Sequence, residues 1–157
     1  MTLVGLISDT HGLMRPQALD ALRGCSLIVH AGDIGDAAII KSLRAIAPVT
    51  AVRGNNDGAP WARDLPTYTT LKLGDVTLHV VHDIADFARD TVATGTHVVV
   101  AGHSHKPVIA QRGDVLFVNP GSAGPRRFRL PISLALLEVR GATATARIVE
   151  LTPPVAH

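Results

Sequence analysis

Five short segments concentrate the reactive side chains of this 157-residue chain: Asp9-Thr10-His11, Gly32-Asp33, Gly54-Asn55-Asn56-Asp57, His82, and Gly102-His103-Ser104-His105. Each stands at the end of an apolar run. Carboxylate, imidazole and amide oxygen together make a donor set of intermediate hardness, suited to Mn, Fe, Zn or Ni rather than to Ca or a thiolate-seeking ion. Asp9 and His11 are two residues apart, as are His103 and His105, so an extended backbone would project each pair to one side. Asp33 has two carboxylate oxygens and can bridge two cations. Two divalent ions about 3.5–4 Å apart can clamp an in-line attack on phosphorus, with a metal-bound hydroxide as the nucleophile. Taken singly, each motif is also what a plain strand-end turn rich in Asp and Asn looks like.

The elements that must position these residues follow from periodicity. Leu3 to Ser8 reads as a buried strand, Pro16 opens a helix with a stripe of Ala18, Leu19, Ala21 and Leu22, and Leu27 to His30 reads as a second strand. Asp36 can cap a helix carrying Ile39, Ile40, Leu43, Ala45 and Ile46, and Val49 to Arg53 is a third strand. Alternating β and α predict parallel pairing here. Farther on, Tyr68–Leu73 and Val76–Val81 flank the turn pair Gly74-Asp75, and Ile84 to Val92 reads as a short helix. His97–Ala101, Val108–Gln111, Val115–Val118, Ile132–Val139 and Thr143–Leu151 are the remaining expected strands. The expectation is one α/β domain over residues 1–151, parallel in its front half and antiparallel in its back half, with two packed sheets and a frayed tail at 152–157. Ligands at the carboxyl ends of strands would then meet on one rim.

Composition excludes several classes. Hydrophobic residues make up 46% and charged ones 18%, which fits a globular domain and not a disordered or coiled-coil chain. Phe, Trp and Tyr total five, too few for an aromatic base-stacking platform, and a net charge of +2 gives no strong nucleic-acid signal. No membrane span is expected, because no run of about 18 apolar residues occurs. The apolar start stops at Ser8-Asp9, short for a signal peptide, and the single Cys25 fits a reducing, cytoplasmic setting. His30 reads as a structural histidine, and His79 and His97 as surface or packing residues. Arg126, Arg127 and Arg129 read as a solvated loop, and Asn119-Pro120-Gly121-Ser122 either shapes the rim or is a plain turn. Trp61 flanks a substrate mouth or covers a dimer contact.

The ordered motifs resemble those of the calcineurin-like metallophosphoesterases, and Asn119-Pro120-Gly121-Ser122 with Pro125-Arg126 is similar to the small single-domain, YfcE-type phosphodiesterase branch. The resemblance implies a four-layer α/β/β/α sandwich of two mixed sheets with a binuclear centre. It implies that Asp9, His11 and His105 hold the first metal, that Asn55, His82 and His103 hold the second, and that Asp33 bridges them. His103 would also help neutralise charge on phosphoryl oxygens. Two divalent ions per chain are expected, Mn favoured, with Fe, Ni or Zn accepted. The implied activity is metal-dependent phosphoesterase, phosphodiesterase over phosphomonoesterase, on a small phosphodiester or nucleotide-like substrate. Relatives often form homo-oligomers, and some proteins of this fold, including a retromer subunit, are non-catalytic scaffolds. Asn56 stands where many relatives have a His at the leaving-group acid position, Asp83 stands where they usually have Gly, and the substrate-cap segments of larger relatives are absent.

Overall fold

The computed structural model describes residues 1–86, 95–127 and 129–151. In chain order its elements are β1 Thr2–Ile7, α1 Pro16–Leu22, β2 Leu27–His30, α2 Ala37–Arg44, β3 Val49–Ala51, β4 Tyr68–Leu73 and β5 Val76–Val81. There follow β6 Val98–Val100, β7 Val108–Arg112, β8 Val115–Asn119, β9 Ser133–Arg140 and β10 Thr143–Glu150. Single 3-10 turns cover Pro60–Ala62 and Ile84–Asp86. The helix expected over Ile84–Val92 is a 3-10 turn in its first residues, and positions 87–94 lie outside the described residues.

Two five-stranded mixed sheets result, one ordered β10-β9-β1-β2-β3 and the other β4-β5-β6-β8-β7. β1 pairs in parallel with β2, and β2 with β3, as the alternating pattern predicts. The division into a parallel front and an antiparallel back does not hold. β9 returns to pair antiparallel with β1, so the last hairpin completes the first sheet. β5, β6 and β8 pair in parallel in the second sheet, with antiparallel hairpins at both edges. Long connections after β5 and β6 permit those crossovers, whereas two-residue turns force only the β4–β5, β7–β8 and β9–β10 pairs.

Side-chain alternation on β1 explains the layering. Val4 and Leu6 face the second sheet, where they join Val29, Leu78, Val80, Val98, Val100, Val118 and Leu137. Ile7 faces the other way and packs with Leu22, Ile28, Ile39, Leu43 and Leu134 under the two helices. Both helices start as the sequence specifies: Pro16 occupies the first turn of α1, and the Asp36 side chain accepts the Ala38 N–H at 2.9 Å. Trp61 packs against the helix-side core and borders a small cavity with Ala37, Ile40, Lys41, Arg44 and Leu65, so its place is beside α2. Among the described residues no helix is long and apolar enough to cross a membrane.

Candidate metal centre

The loops after β1, β2, β3, β5 and β6 meet at one rim and are stitched to one another by backbone. Asp9 N–H donates to Gly32 O at 3.0 Å, His11 N–H to Asp33 O at 2.9 Å, and Gly102 N–H to His82 O at 2.8 Å. Asp9, His11, Asp33, His103 and His105 all have positive φ, from 45° to 72°. The extended backbone expected for the Asp9/His11 and His103/His105 pairs is therefore not what the chain adopts. Left-handed backbone at five non-glycine positions is costly and is held only where surrounding bonds over-determine it. Glycines next to them matter for room. A Cβ on Gly102 would collide with Ser8 Oγ and lie 2.6 Å from Asp9 Oδ2, and one on Gly54 would collide with Asp33.

Among the described residues two groups of donors result, each with ligand atoms within 4.8 Å of one another: Asp9, His11 and His105 in one, Asp33, His82 and His103 in the other. In the first, Asp9 Oδ1 lies 3.4 Å from His105 Nε2 and 3.8 Å from His11 Nε2. In the second, His82 Nε2 lies 3.2 Å from Asp33 Oδ2, and His103 Nδ1 lies 3.2 Å from Asn55 Oδ1. Asp33 Oδ2 is also 3.8 Å from His11 Nε2, so this carboxylate faces both groups. All seven residues singled out in the sequence are brought together.

The surrounding hydrogen bonds show which atoms are spoken for. Ser8 Oγ donates to Asp9 Oδ2 at 2.7 Å and His103 N–H donates to the same oxygen at 3.0 Å, while the other oxygen, Oδ1, is buried with no hydrogen-bond partner. His82 Nδ1 donates to Ala31 O at 2.7 Å, which leaves Nε2 with its lone pair; that nitrogen is also buried and, despite its nearness to Asp33, makes no aligned hydrogen bond. Buried polar atoms are rarely left unpaired. A carboxylate oxygen and a ring nitrogen, each fixed by its other atom and each aimed at the same rim, fit a bound cation.

The titrating groups respond to that crowding. Burial disfavours a charged Asp33, but contacts with His82, the Asn56 N–H and His11 outweigh it and bring its pKa down to about 2. Burial likewise works against a protonated His82, yet Asp33, the Ala31 carbonyl and Asp9 raise its pKa above the usual value. His105 is lowered, by burial first.

Several supports were missed or left open in the sequence. Asp57 is a buried clamp: its carboxylate accepts the N–H groups of Ile34 at 2.9 Å, Gly35 at 3.1 Å and Gly54 at 2.9 Å, tying the Asp33 loop to the Asn55 loop. Asn56 donates twice to Asp33, from its backbone N–H at 2.8 Å and its amide at 3.1 Å. His30 is fully buried; Gly32 N–H donates to its Nδ1 at 3.1 Å and Thr10 Oγ1 lies 3.0 Å from its Nε2, so it is a structural histidine joining two ligand loops. Burial, and then His82, lower its pKa to about 3. The Asn119–Ser122 segment does shape the rim: Asn119 donates to Gly102 O and Ser104 Oγ, each at 3.0 Å, and Ser122 Oγ donates to Asp9 O at 2.9 Å. The contacts decide between the two readings that the sequence left open for this segment, in favour of shaping the rim. His79 is buried and stacked on Tyr68, His97 Nδ1 accepts the Thr77 N–H, and Arg126, Arg127 and Arg129 are exposed.

Beyond the second group a groove of about 750 Å³ opens, walled by Arg53, Asn55, Tyr68, His82, Asp83 and His103. Site and fold together are those of a metallophosphoesterase. The chain belongs to the calcineurin-like phosphoesterase superfamily, whose domain model matches residues 2–142. It is 32% identical over 165 residues to a probable metallophosphoesterase of Methanothermobacter thermautotrophicus, an alignment spanning 98% of this chain and 95% of that protein. Among solved structures it resembles an archaeal phosphodiesterase, with TM-score 0.77 and 22% identity over 94% of this chain and all of the other. It also resembles Entamoeba histolytica Vps29 complexed with zinc, with TM-score 0.73 and 23% identity over 96% of this chain and all of the other.

Proposed function

We propose that this protein is a binuclear metal-dependent phosphodiesterase acting on small phosphodiesters, including nucleotide-like ones, as a single domain over residues 1–151. One observation carries the reading: two donor groups share Asp33, and Asp9 Oδ1 and His82 Nε2 are buried, fixed and unpaired between them. Asp9, His11 and His105 would hold one divalent ion, Asn55, His82 and His103 the other, and Asp33 both. Mn suits this donor set, as do Fe, Ni and Zn. When bound, such ions supply Lewis acidity and lower the pKa of water for attack on phosphorus.

The chain's own residues do the positioning. Ser8 and the His103 N–H turn Asp9 so that one oxygen is free, Ala31 sets the His82 tautomer, and Asn56 and Asp57 fix the loops on either side of Asp33. His103, 45% exposed at its side chain, stands where the groove begins, so its ring can offset charge on the phosphoryl oxygens. Asn56 stands at the position that the resemblance gives to the leaving-group acid, and it cannot release a proton at neutral pH, so turnover would favour substrates whose leaving group departs on its own acidity. The groove is open, which suits a diester carrying a substituent on each side of phosphorus. A scaffold of the same fold would not need the unpaired, convergent donors.

The test is hydrolysis of bis(nitrophenyl) phosphate and of nitrophenyl phosphate by metal-stripped protein reconstituted with Mn. The diester should be cleaved faster. Cleavage of neither would end the enzyme reading, and preference for the monoester would reverse the substrate class.

A further inference from the structure

Asp83 follows His82 on the groove wall, and its carboxylate is oriented from both ends. The Ala85 N–H donates to Oδ1 at 3.0 Å, which closes a turn at the start of Ile84–Asp86 and sets the plane of the carboxylate. Oδ2 is left facing His103 Nε2 at 3.6 Å. The opposite ring nitrogen, Nδ1, lies 3.2 Å from Asn55 Oδ1, and His103 shares its donor group with Asp33 and His82. A neutral imidazole carries one N–H, so whatever faces one nitrogen decides what the other offers. A carboxylate at Nε2 favours the proton there. Nδ1 then turns a lone pair toward the point that Asn55 Oδ1, which can only accept, also addresses.

We propose that Asp83 is a positioning residue for the second cation: it accepts from His103 Nε2–H, holds that tautomer and ring orientation, and so presents Nδ1 to an ion shared with Asn55, His82 and Asp33. This rests on the two-ion reading above. The two histidines of the group differ in what holds them. His82 is buried and anchored by the Ala31 carbonyl, whereas His103 is the exposed member, and among the described residues Asp83 carries the one carboxylate within ion-pair distance of its Nε2. At 3.6 Å the contact lies outside hydrogen-bond range. Donation therefore needs the pair to close by a few tenths of an ångström, a movement open to two side chains that are both partly exposed. Both side chains are partly exposed, 45% and 32%, so screening keeps the effect at the lower end of the 10–100-fold loss of metal affinity typical when such partners are removed.

The competing explanation is that Asp83 acts only as a nearby negative charge. Asp86 separates the two, since it is exposed on the same turn, borders the same groove and carries the same charge. Calorimetric titration of the full metal-stripped chain with MnCl2 is the experiment. Asp83→Asn should bind the first ion as wild type does and the second about tenfold more weakly. Asp83→Glu should recover most of that loss, and Asp86→Asn should cause none. In a His103→Ala background Asp83→Asn should add nothing. The proposal is overturned if Asp83→Asn binds the second ion as tightly as wild type, or if Asp86→Asn weakens it equally. A wild-type chain that takes up fewer than two ions removes the two-ion reading and this proposal together, whereas two ions bound with a silent Asp83→Asn removes this proposal alone.

Discussion

The two donor groups lie side by side, yet their surroundings differ. Asp9 and His105 are buried, and the first group is walled by Ser8, Ser122 and the backbone of the neighbouring loops. The second opens on the groove, with His103 and Asn55 exposed and with Asp33 and His82 anchored at depth. A buried group braced on Asp9 by Ser8 and the His103 N–H suits a tightly held ion, although its buried His105 Nδ1 has no hydrogen-bond partner. An exposed one suits an ion that meets substrate and exchanges more readily. Asp33 belongs to both, and the difference between the groups gives the order in which substitutions should hurt.

The largest effect should come from that shared residue. Asp33→Asn should lower turnover of bis(nitrophenyl) phosphate by about 10³-fold or more, since several kcal/mol of transition-state stabilisation are at stake, and metal analysis should find fewer than two ions per chain. Activity intact in that variant would dissolve the comparison. Next comes the clamp between the loops: Asp57→Ala leaves three backbone N–H groups without their carboxylate partner, and denaturant unfolding should show a loss of roughly 3–5 kcal/mol. A loss within 1 kcal/mol would mean that the loops hold themselves.

A smaller, selective change is expected at the open side. Asn56→His should speed hydrolysis of poor, alkyl leaving groups toward the 10²-fold typical of general acid catalysis and barely alter nitrophenolate. Equal slopes of rate against leaving-group pKa in both proteins would show that position 56 does not serve the leaving group. The least effect on activity concerns His30. Its pKa is about 3 in the fold and near 6.5 otherwise, so between those values the unfolded chain binds more protons. Stability is therefore full above about pH 6.5 and falls as pH drops toward 3. His82, Asp33 and His11 face it electrostatically, and Thr10 and Gly32 by hydrogen bonds. His30→Gln should flatten that fall, measured as unfolding free energy against pH; an unchanged slope would assign it to other groups.

Much of this was legible in the sequence because the signals were local. Each donor loop follows an apolar strand, Asp36 and Pro16 mark helix starts, and Gly74-Asp75 fixes a hairpin, so most of the element order and the five donor loops could be read directly, while the choice of Asn55 over Asn56 among the seven donors came from the family resemblance. What escaped was non-local or conformational. That β9 joins β1 depends on chain returning across the whole molecule, and no short-range pattern encodes it. The left-handed backbone at Asp9, His11, Asp33, His103 and His105 goes against residue preference and is imposed by cross-loop hydrogen bonds. Asp57 stands in the sequence only as an acidic turn residue beside Asn56, and the three N–H groups from two loops reveal a clamp. The family resemblance placed the site; it did not carry the bracing by Ser8, Asn119 and Ser122.

The measurement that tests the central claim most directly is a Mn titration of metal-stripped protein, with bound ions counted by calorimetry and diester hydrolysis followed in the same samples. Two ions should bind, the first more tightly than the second, and hydrolysis should rise with occupancy of the second. Full activity with one ion or none, or two bound ions with no hydrolysis, would contradict the account.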